Sequence, residues 1–320
     1  MKKRIFTGLG IVLTLALLFV LKVYVSDYFF DAFFAIVACF AAFEMSKLLT
    51  KIGKYNYQWV AVLFPSLLLA ANLIGVHYAS ANQDLYWILW TILIDIALMV
   101  VVALGMFVFA LLRRKNTKHE MEIREIKNGS VVKFALSKAI NTMFTFIYPA
   151  FLFLMFVFIN HLNELPLEKL VGLSSNVSLF MVLTAILIPM ITDTFAMLMG
   201  SVIGGKKLCP KISPNKTISG SVGGTLWCVL VAACVYLVFG CIAEFQPLME
   251  VFPIWAYLLI VLFGSVIAQA GDLFESFIKR RAGVSDSGNI LPGHGGMLDR
   301  IDSYIYIAPY VLLAFLIFAL

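Results

Sequence analysis

The stretch that decides the fold runs from Tyr86 to Leu112 and reads YWILWTILIDIALMVVVALGMFVFALL. Asp95 is its only charged residue. A helix that crosses the hydrocarbon core of a bilayer, about 30 Å thick, needs roughly 20 mainly apolar residues at about 1.5 Å each. This segment therefore predicts a membrane-spanning helix.

Similar stretches recur along the whole chain, in which 62% of the residues are hydrophobic and only 13% are charged. Backbone groups inside lipid must be satisfied within their own segment, and no alternation with a period of two, as in a barrel, is present. We therefore predict an all-α, polytopic integral membrane protein. The predicted helices, about nine in number, lie at 5–24, 28–49, 58–79, 86–112, 139–160, 175–203, 221–243, 252–275 and 303–320.

The basic residues indicate how these helices cross the membrane. With a cytoplasmic amino terminus, only Lys22 and Lys169 of the 24 lysine and arginine residues fall outside. Positive charges are retained on the cytoplasmic side during insertion. We therefore expect a cytoplasmic amino terminus in a bacterial cytoplasmic membrane. The net charge of +6 needs no nucleic-acid partner, because basic inner loops meet anionic headgroups.

The chain has no internal repeat or long extramembrane domain, so we interpret it as one membrane domain with two parts. Residues 1–138 are predicted to form scaffold helices, ending in an amphipathic surface connector from Arg113 to Lys138. Residues 139–320 are predicted to form the catalytic part, with cytoplasmic motif loops at 204–224 and 276–302. The first helix is expected not to be cleaved as a signal peptide, and the five cysteines show no metal-ligand spacing.

Polar residues are gathered most densely between Gly271 and Ser303. At the inner end of the predicted eighth helix, four of them share one helical face. These are Asp272, Glu275, Ser276 and Lys279. Carboxylates near the membrane boundary are therefore expected beside a serine and a basic run.

A glycine-rich loop from Ser285 to Gly296 follows, and its glycines allow backbone N–H groups to approach an anion. Asp299 and Asp302 then share a face of the next predicted helix. Carboxylate oxygens suit Mg²⁺, while arginine and lysine neutralise phosphate oxygens. The mixture predicts phosphoryl or nucleotidyl transfer. Helix caps and ordinary ion pairs are the alternative for each residue taken alone.

Asp193, Glu44 and Asp95 also lie inside predicted helices. An ionised aspartate there costs about 2.5–3.5 kcal/mol, so Asp193 should face the bundle interior or a watery cavity. Nothing around Glu44 and Asp95 in the sequence specifies a role, and we expect interhelix hydrogen bonds for them. Gly200 to Lys207 approaches a phosphate-binding loop, but Lys207 occupies the hydroxyl position and a helix precedes it, so we reject that motif.

The chain resembles the phosphatidate cytidylyltransferases, also called CDP-diacylglycerol synthases, in the order and spacing of two groups of motifs. The first group consists of Gly271-Asp272-Leu273-Phe274-Glu275-Ser276, Lys279-Arg280, Pro292-Gly293-His294-Gly295-Gly296 and Asp299-Arg300-Ile301-Asp302-Ser303. The second consists of Asp193-Thr194-Phe195-Ala196 and the loop from Leu208 to Gly224.

The resemblance implies condensation of CTP with phosphatidic acid, giving CDP-diacylglycerol and pyrophosphate with Mg²⁺. A second cation and a homodimer are left open. It implies that Asp272 and Asp299 hold the metal and act in catalysis with Lys279 and Arg280. Expected substrate contacts are Ser213, Lys216, Ser276, Gly295, Gly296, Arg300 and Asp302. Further candidates are Asp193, Glu275, Asp286 and His294, of which His294 is expected to shape the loop rather than act as a base.

Two positions depart from the family pattern. Ser285 stands where a lysine usually precedes Asp286, and Ser219 stands where a glutamate usually precedes Gly220. We expect weakened rather than abolished activity. The alternatives are a diverged relative with another nucleotide or lipid, a transporter or lipid-binding protein, and a CDP-alcohol phosphotransferase, whose DG-x2-AR run is absent.

Overall fold

The computed structural model describes residues 2–82, 86–112, 131–164, 176–291, 293 and 295–319. The first four helices are α1 (Lys2–Tyr24), α2 (Tyr28–Lys51), α3 (Gln58–Asn82) and α4 (Tyr86–Leu112). The next helical segment joins α5 (Val131–Thr145), a π-helical turn (Phe146–Phe151), α6 (Leu152–Leu154), α7 (Phe156–Asn160) and a 3-10 turn (Leu162–Glu164). Most of the predicted connector from Arg113 to Lys138 lies outside the described residues, whose next helix begins at Val131.

The remaining chain contains a small hairpin between long helices. These elements are α8 (Asn176–Ile203), β1 (Lys207–Cys209), β2 (Ser213–Thr217), α9 (Ile218–Gly240), a 3-10 turn (Ala243–Phe245), α10 (Gln246–Val251), α11 (Ile254–Arg281) and α12 (Leu298–Ala319). The two strands pair antiparallel. They are the only strands in the part of the chain that the structure describes.

The predicted all-α, polytopic membrane fold is confirmed. Among the described residues, eight helical segments are long and apolar enough to cross a membrane, and α1 contributes a shorter apolar stretch from Val12 to Tyr24. The number of about nine crossings and the cytoplasmic amino terminus stay predictions. Helices α11 and α12 extend beyond the predicted membrane spans at 252–275 and 303–320. The helical spacing of Asp272 with Lys279 and of Asp299 with Asp302 predicted these polar turns, in which Lys279 pairs with Glu275 and Asp299.

Helices α8 and α9 approach closely because glycines of α9 face α8. A Cβ atom would lie 2.5 Å from the carbonyl oxygen of Ala196 if added to Gly220, and 2.6 Å from that of Thr192 if added to Gly224. Small residues at membrane helix interfaces allow such an approach. This contact brings the carboxyl-terminal half of α8, with Asp193, against the start of α9.

We expect Gly220→Ala to destabilise the protein by about 1–3 kcal/mol, because the added methyl overpacks the interface. Gly240→Ala is the matched control, since a Cβ at Gly240 meets no atom within 4 Å. Thermal unfolding in detergent checks this: the Gly220 variant should have the lower midpoint. Equal midpoints for the two variants would contradict the close packing of α8 and α9.

A buried polar network joins α1, α2 and α7 near the beginning of α2. Lys22 Nζ donates to Asn160 Oδ1 at 2.7 Å, and Asn160 Nδ2 donates to Asp31 Oδ1 at 2.9 Å. His161 has Nε2 2.8 Å from Asp31 Oδ2 and Nδ1 2.7 Å from Glu164 Oε1. Since both ring nitrogens face carboxylates, the imidazolium form donates to both.

We expect the protein to lose stability as this histidine is deprotonated. Burial lowers the pKa of His161, but its hydrogen bonds to Asp31 and Glu164 outweigh that effect and raise it to about 9. A raised pKa stabilises the fold fully below the ordinary histidine value of about 6.5, and this stabilisation is lost as pH rises through the folded value.

The unfolding midpoint of the wild type should therefore fall more steeply between neutral pH and pH about 10 than that of His161→Gln, which cannot titrate. The neighbouring Lys22, Asp27, Asp31 and Glu164 are present in both proteins, so the variant corrects for their titration. Parallel pH profiles of the two proteins would rule out the charged histidine.

Candidate functional site

A polar cavity of about 680 Å³ opens where the ends of α8 and α11 meet the beginnings of α9 and α12. Its volume lies within the range of about 300–1,000 Å³ that is usual for small-molecule sites. Many of the predicted site residues line it. They are Asp193, Lys216, Asp272, Lys279, Asp286, Asp299, Arg300 and Asp302.

The hairpin before α9 positions Lys216 at this cavity. Lys207 pairs with Thr217 across the two strands, and Thr217 then caps α9 by accepting a hydrogen bond from the backbone N–H of Gly220 at 3.1 Å. Lys216 precedes this cap, and its ammonium group forms an ion pair with Asp272 on α11. The upstream and downstream motifs therefore meet at one pair of charges.

The carboxylate of Asp299 holds the glycine-rich loop on α12. Its Oδ2 accepts hydrogen bonds from the backbone N–H groups of Ser287 at 2.9 Å and Gly296 at 2.7 Å, and its Oδ1 contacts Lys279 Nζ at 2.7 Å. Between them, Gly295 has a φ of +84°, which favours glycine. Lys279 also pairs with Glu275, one turn earlier on α11, so the loop is fixed to both helices.

Glu44 on α2 also binds the glycine-rich loop and the start of α12. Its Oε2 accepts hydrogen bonds from the backbone N–H of Leu298 at 2.8 Å and from Ser287 Oγ at 3.0 Å. The expected interhelix hydrogen bond is absent at Asp95, whose two buried carboxylate oxygens have no hydrogen-bond partner among the described residues. It is confirmed for Glu44. Its target could not have been predicted, because nothing near position 44 in the sequence points to a loop more than 240 residues away.

We expect Glu44→Ala to loosen this loop, because the N–H of Leu298 and the hydroxyl of Ser287 lose their common buried acceptor. Amide hydrogen exchange should become faster in residues 285–298 and stay unchanged in α8. Ser46→Ala, which removes a buried hydroxyl two residues away on α2, is the control and should leave the loop protected. Unchanged exchange in the Glu44 variant would contradict the supporting role.

Several predicted residues lie outside the cavity wall. Arg280 donates to the carbonyl oxygens of Ile212 at 3.1 Å and Val284 at 3.2 Å, so it fastens the hairpin to the end of α11. Ser276 lies behind the wall and donates to Asp272 Oδ1 at 3.3 Å. The others are Ser213, Glu275, Gly295 and Gly296. His294 lies outside the described residues, so its expected role in shaping the loop stays a prediction.

A chain of polar side chains beneath the cavity was missed by the sequence analysis. Gln269 lines the cavity, bonds Ser221 and donates to Thr225 Oγ1 at 2.9 Å. Ser265 donates to the same Thr225 oxygen at 3.0 Å and accepts from Thr192 at 2.9 Å. The i, i+4 spacing of Ser221 with Thr225 could have indicated this link between α8, α9 and α11.

Carboxylates are crowded on one side of the cavity, where Asp272 also pairs with Lys216. Asp302 is buried, and the carboxylates of Asp193 and Asp272 repel it. Oxygen donors that repel one another at the edge of a polar cavity fit a hard divalent cation such as Mg²⁺. Asp272 belongs to this group, whereas both oxygens of Asp299 already accept contacts from the loop and Lys279.

The positive charges of the cavity differ in how they are paired. Lys216 and Lys279 form ion pairs with carboxylates. The side chain of Arg300 forms no hydrogen bond or ion pair with any residue that the structure describes, and it is exposed to the cavity. Its guanidinium group is therefore available to an anionic ligand.

Comparison with known proteins agrees with this architecture. Residues 2–318 match the Cytidylyltransferase family, so the chain belongs to that family. It is similar to the phosphatidate cytidylyltransferase of Staphylococcus haemolyticus, with 46% identity over 128 residues, which are 40% of this chain and 46% of that protein. The phosphatidate cytidylyltransferase of Bacillus subtilis is 45% identical over 120 residues, which are 38% of this chain and 41% of that protein.

The predicted family membership is therefore confirmed. The matched region of the chain spans less than half the length of each of these curated relatives.

Proposed function

We propose that the protein condenses CTP with phosphatidic acid to form CDP-diacylglycerol and pyrophosphate. The observation that carries this proposal is the polar cavity, which combines carboxylates with lysine and arginine at one end of a bundle of membrane helices. The phosphates of a nucleotide from the aqueous phase can meet the phosphate of a lipid there while the lipid stays in the membrane. The names of the similar bacterial proteins, phosphatidate cytidylyltransferase, support the same reaction.

In the proposed reaction, a phosphate oxygen of phosphatidic acid attacks the α-phosphorus of CTP. The bond from that phosphorus to the oxygen bridging to the β-phosphate breaks, and pyrophosphate leaves with the bonding electrons. Such transfers depend on positioning and on stabilisation of charge rather than on covalent catalysis. Lys216 and Arg300 would neutralise phosphate oxygens, and Lys279 would do so from its position beside Asp299.

Mg²⁺ is the cation that we propose for this site, and a second cation is left open. Asp272 and Asp299 would hold it, with Asp193 and Asp302 as further oxygen donors in the same cavity. When bound, the ion would supply neutralisation of phosphate charge. Since Asp299 also fixes the loop through Ser287 and Gly296, metal binding and loop order would be coupled.

The two departures from the family pattern are expected to weaken the activity, because Ser285 lacks the positive charge of a lysine and Ser219 lacks the carboxylate of a glutamate. Ser285 Oγ donates to Asp286 Oδ2 at 2.7 Å, so it neutralises less charge than a lysine would at that position. Ser219 donates to the carbonyl oxygen of Gly204 and thereby holds the turn before the hairpin. Both positions keep a hydrogen bond and lack a charge.

We propose that the cavity faces the cytoplasm of a bacterial cell. The distribution of lysine and arginine supports this orientation, and the motif residues gather at the end of the bundle that this distribution assigns to the cytoplasm. CTP is a cytosolic nucleotide, so the orientation agrees with the proposed substrate.

The direct test is release of pyrophosphate by the purified full-length protein with CTP, phosphatidic acid and Mg²⁺. Asp272→Asn and Asp299→Asn should lower the rate by about 100-fold or more, because each removes a charge that the transition state requires. Chelation of divalent cations should abolish turnover, and readdition of Mg²⁺ should restore it. Replacing CTP by other nucleoside triphosphates measures the nucleotide preference.

Asp95→Asn is the matched control, because Asp95 is a buried carboxylate on α4 that does not line the polar cavity. It should keep most of the activity. The proposed reaction is wrong if the wild type releases no pyrophosphate. Full activity of both site variants would show that Asp272 and Asp299 do not hold the metal, and it would not contradict the proposed reaction.

A further inference from the structure

A second cavity, of about 430 Å³, is almost entirely apolar. Side chains from α1, α2, α6, α7, α8 and α12 form its wall, including Leu15, Phe34, Phe156 and Ile186. We call it the apolar cavity. Apart from Arg300, the only lining side chains with a hydrogen-bonding group among the described residues are Thr14, which donates to the carbonyl oxygen of Gly10, and Tyr304, so the cavity suits a hydrocarbon occupant.

Arg300 lines both the polar cavity and the apolar cavity. The first turns of α12 separate the two, since Asp302 faces the polar cavity whereas Ile301 and Tyr304 face the apolar one. A guanidinium group that forms no hydrogen bond or ion pair with the described residues therefore lies at the junction of a polar site and a hydrocarbon site. A ligand that suits both has an anionic head and an apolar chain.

The apolar cavity extends from the level of Arg300 towards the middle of the membrane. Phe34 in its wall precedes Glu44 by ten residues on α2, and Glu44 contacts the loop beside the polar cavity. Ten helical residues correspond to about 15 Å, which is half of the roughly 30 Å hydrocarbon core. The cavity thus runs in the direction of an acyl chain in one leaflet.

We propose that the apolar cavity binds one acyl chain of the lipid substrate, with the phosphate of that lipid against Arg300 in the polar cavity. The identity of the lipid as phosphatidic acid rests on the proposed function. The position of the chain does not, because it follows from the two cavities and their shared arginine.

A second apolar cavity, of about 520 Å³ between α3 and α4, provides an internal comparison. Its wall includes Leu63, Val102 and Gly105, and none of the described residues that line it is charged. Any lipid chain can enter such a groove from the bilayer. Selection of an anionic lipid is expected only where the cationic Arg300 is part of the wall.

Photo-crosslinking tests the proposal in vesicles that contain the full-length protein. The probe is phosphatidic acid with a diazirine near the end of one acyl chain, and the labelled peptides are identified by mass spectrometry. We expect labelling in α2 near Phe34 and in α12 near Tyr304. Phosphatidylcholine with the same labelled chain should react less there, since its phosphate diester is blocked by choline.

Two glycine variants make a matched pair. Gly10 lines the apolar cavity and Gly105 lines the groove between α3 and α4, and a Cβ at either glycine meets no atom within 4 Å. Gly10→Phe should fill part of the apolar cavity and lower labelling there about tenfold, the effect of losing contact with about two methylene groups. Gly105→Phe should leave that labelling unchanged.

Each result separates this proposal from the proposed reaction. Labelling near Phe34 and Tyr304 that Gly10→Phe removes supports the acyl site, even if no pyrophosphate is released. Labelling that is equal for the two lipids, or that persists in Gly10→Phe, overturns the acyl site, even if turnover of CTP is normal. Size-exclusion profiles matching the wild type confirm that both variants are folded.

Discussion

The carboxylate of Asp299 is the contact on which the arrangement of the polar cavity depends. It binds two backbone N–H groups of the glycine-rich loop and the ammonium group of Lys279. The loop, α11 and α12 therefore share one acceptor. A buried carboxylate is costly unless such donors surround it, and here the loop supplies donors that would otherwise need water. Glu44 acts in the same way at a second point, where its carboxylate accepts a hydrogen bond from the backbone N–H of Leu298.

The positively charged groups of the cavity fall into two sets, those that are paired within the protein and those that are available to a ligand. Lys216 and Lys279 are paired with carboxylates, whereas the guanidinium group of Arg300 has no partner in the described chain. The carboxylates of Asp193, Asp272 and Asp302 repel one another, and Arg300 attracts that of Asp193. A site that combines crowded carboxylates with a guanidinium group outside any ion pair suits ligands that bring charge of both signs, such as a phosphate group and its counter-cation.

Hydropathy was enough to predict the class of fold. The segments that it selected correspond to helices, because lipid leaves the backbone no other way to satisfy its hydrogen bonds. The motif spacing also selected residues that meet in space, among them Lys216 and Asp272, which lie 56 positions apart. Hydropathy alone selected only the apolar parts of α11 and α12, whereas the spacing of their charged residues predicted the polar turns at their ends.

Contacts made by single side chains could not be predicted in the same way. Arg280 adjoins Lys279 in sequence, yet it points to the carbonyl oxygens of Ile212 and Val284 rather than into the cavity. Glu44 is isolated in an apolar helix, and only the packing of α2 against α12 gives it a partner. A motif indicates which residues share a task, but the rotation of each helix decides which of them line the site.

The hydrogen bonds of Glu44 have a consequence for how the chain can be recombined. Matches to the curated relatives cover about two fifths of this chain, which makes exchange of whole halves between family members attractive for engineering. A chimera that takes its first helices from elsewhere would retain every residue of the polar cavity. It would still lack the carboxylate that binds Ser287 and Leu298, unless the protein that supplies the first helices has a carboxylate at the position of Glu44. The protein should therefore be divided so that α2 stays with the glycine-rich loop, and not at the boundaries of the motifs.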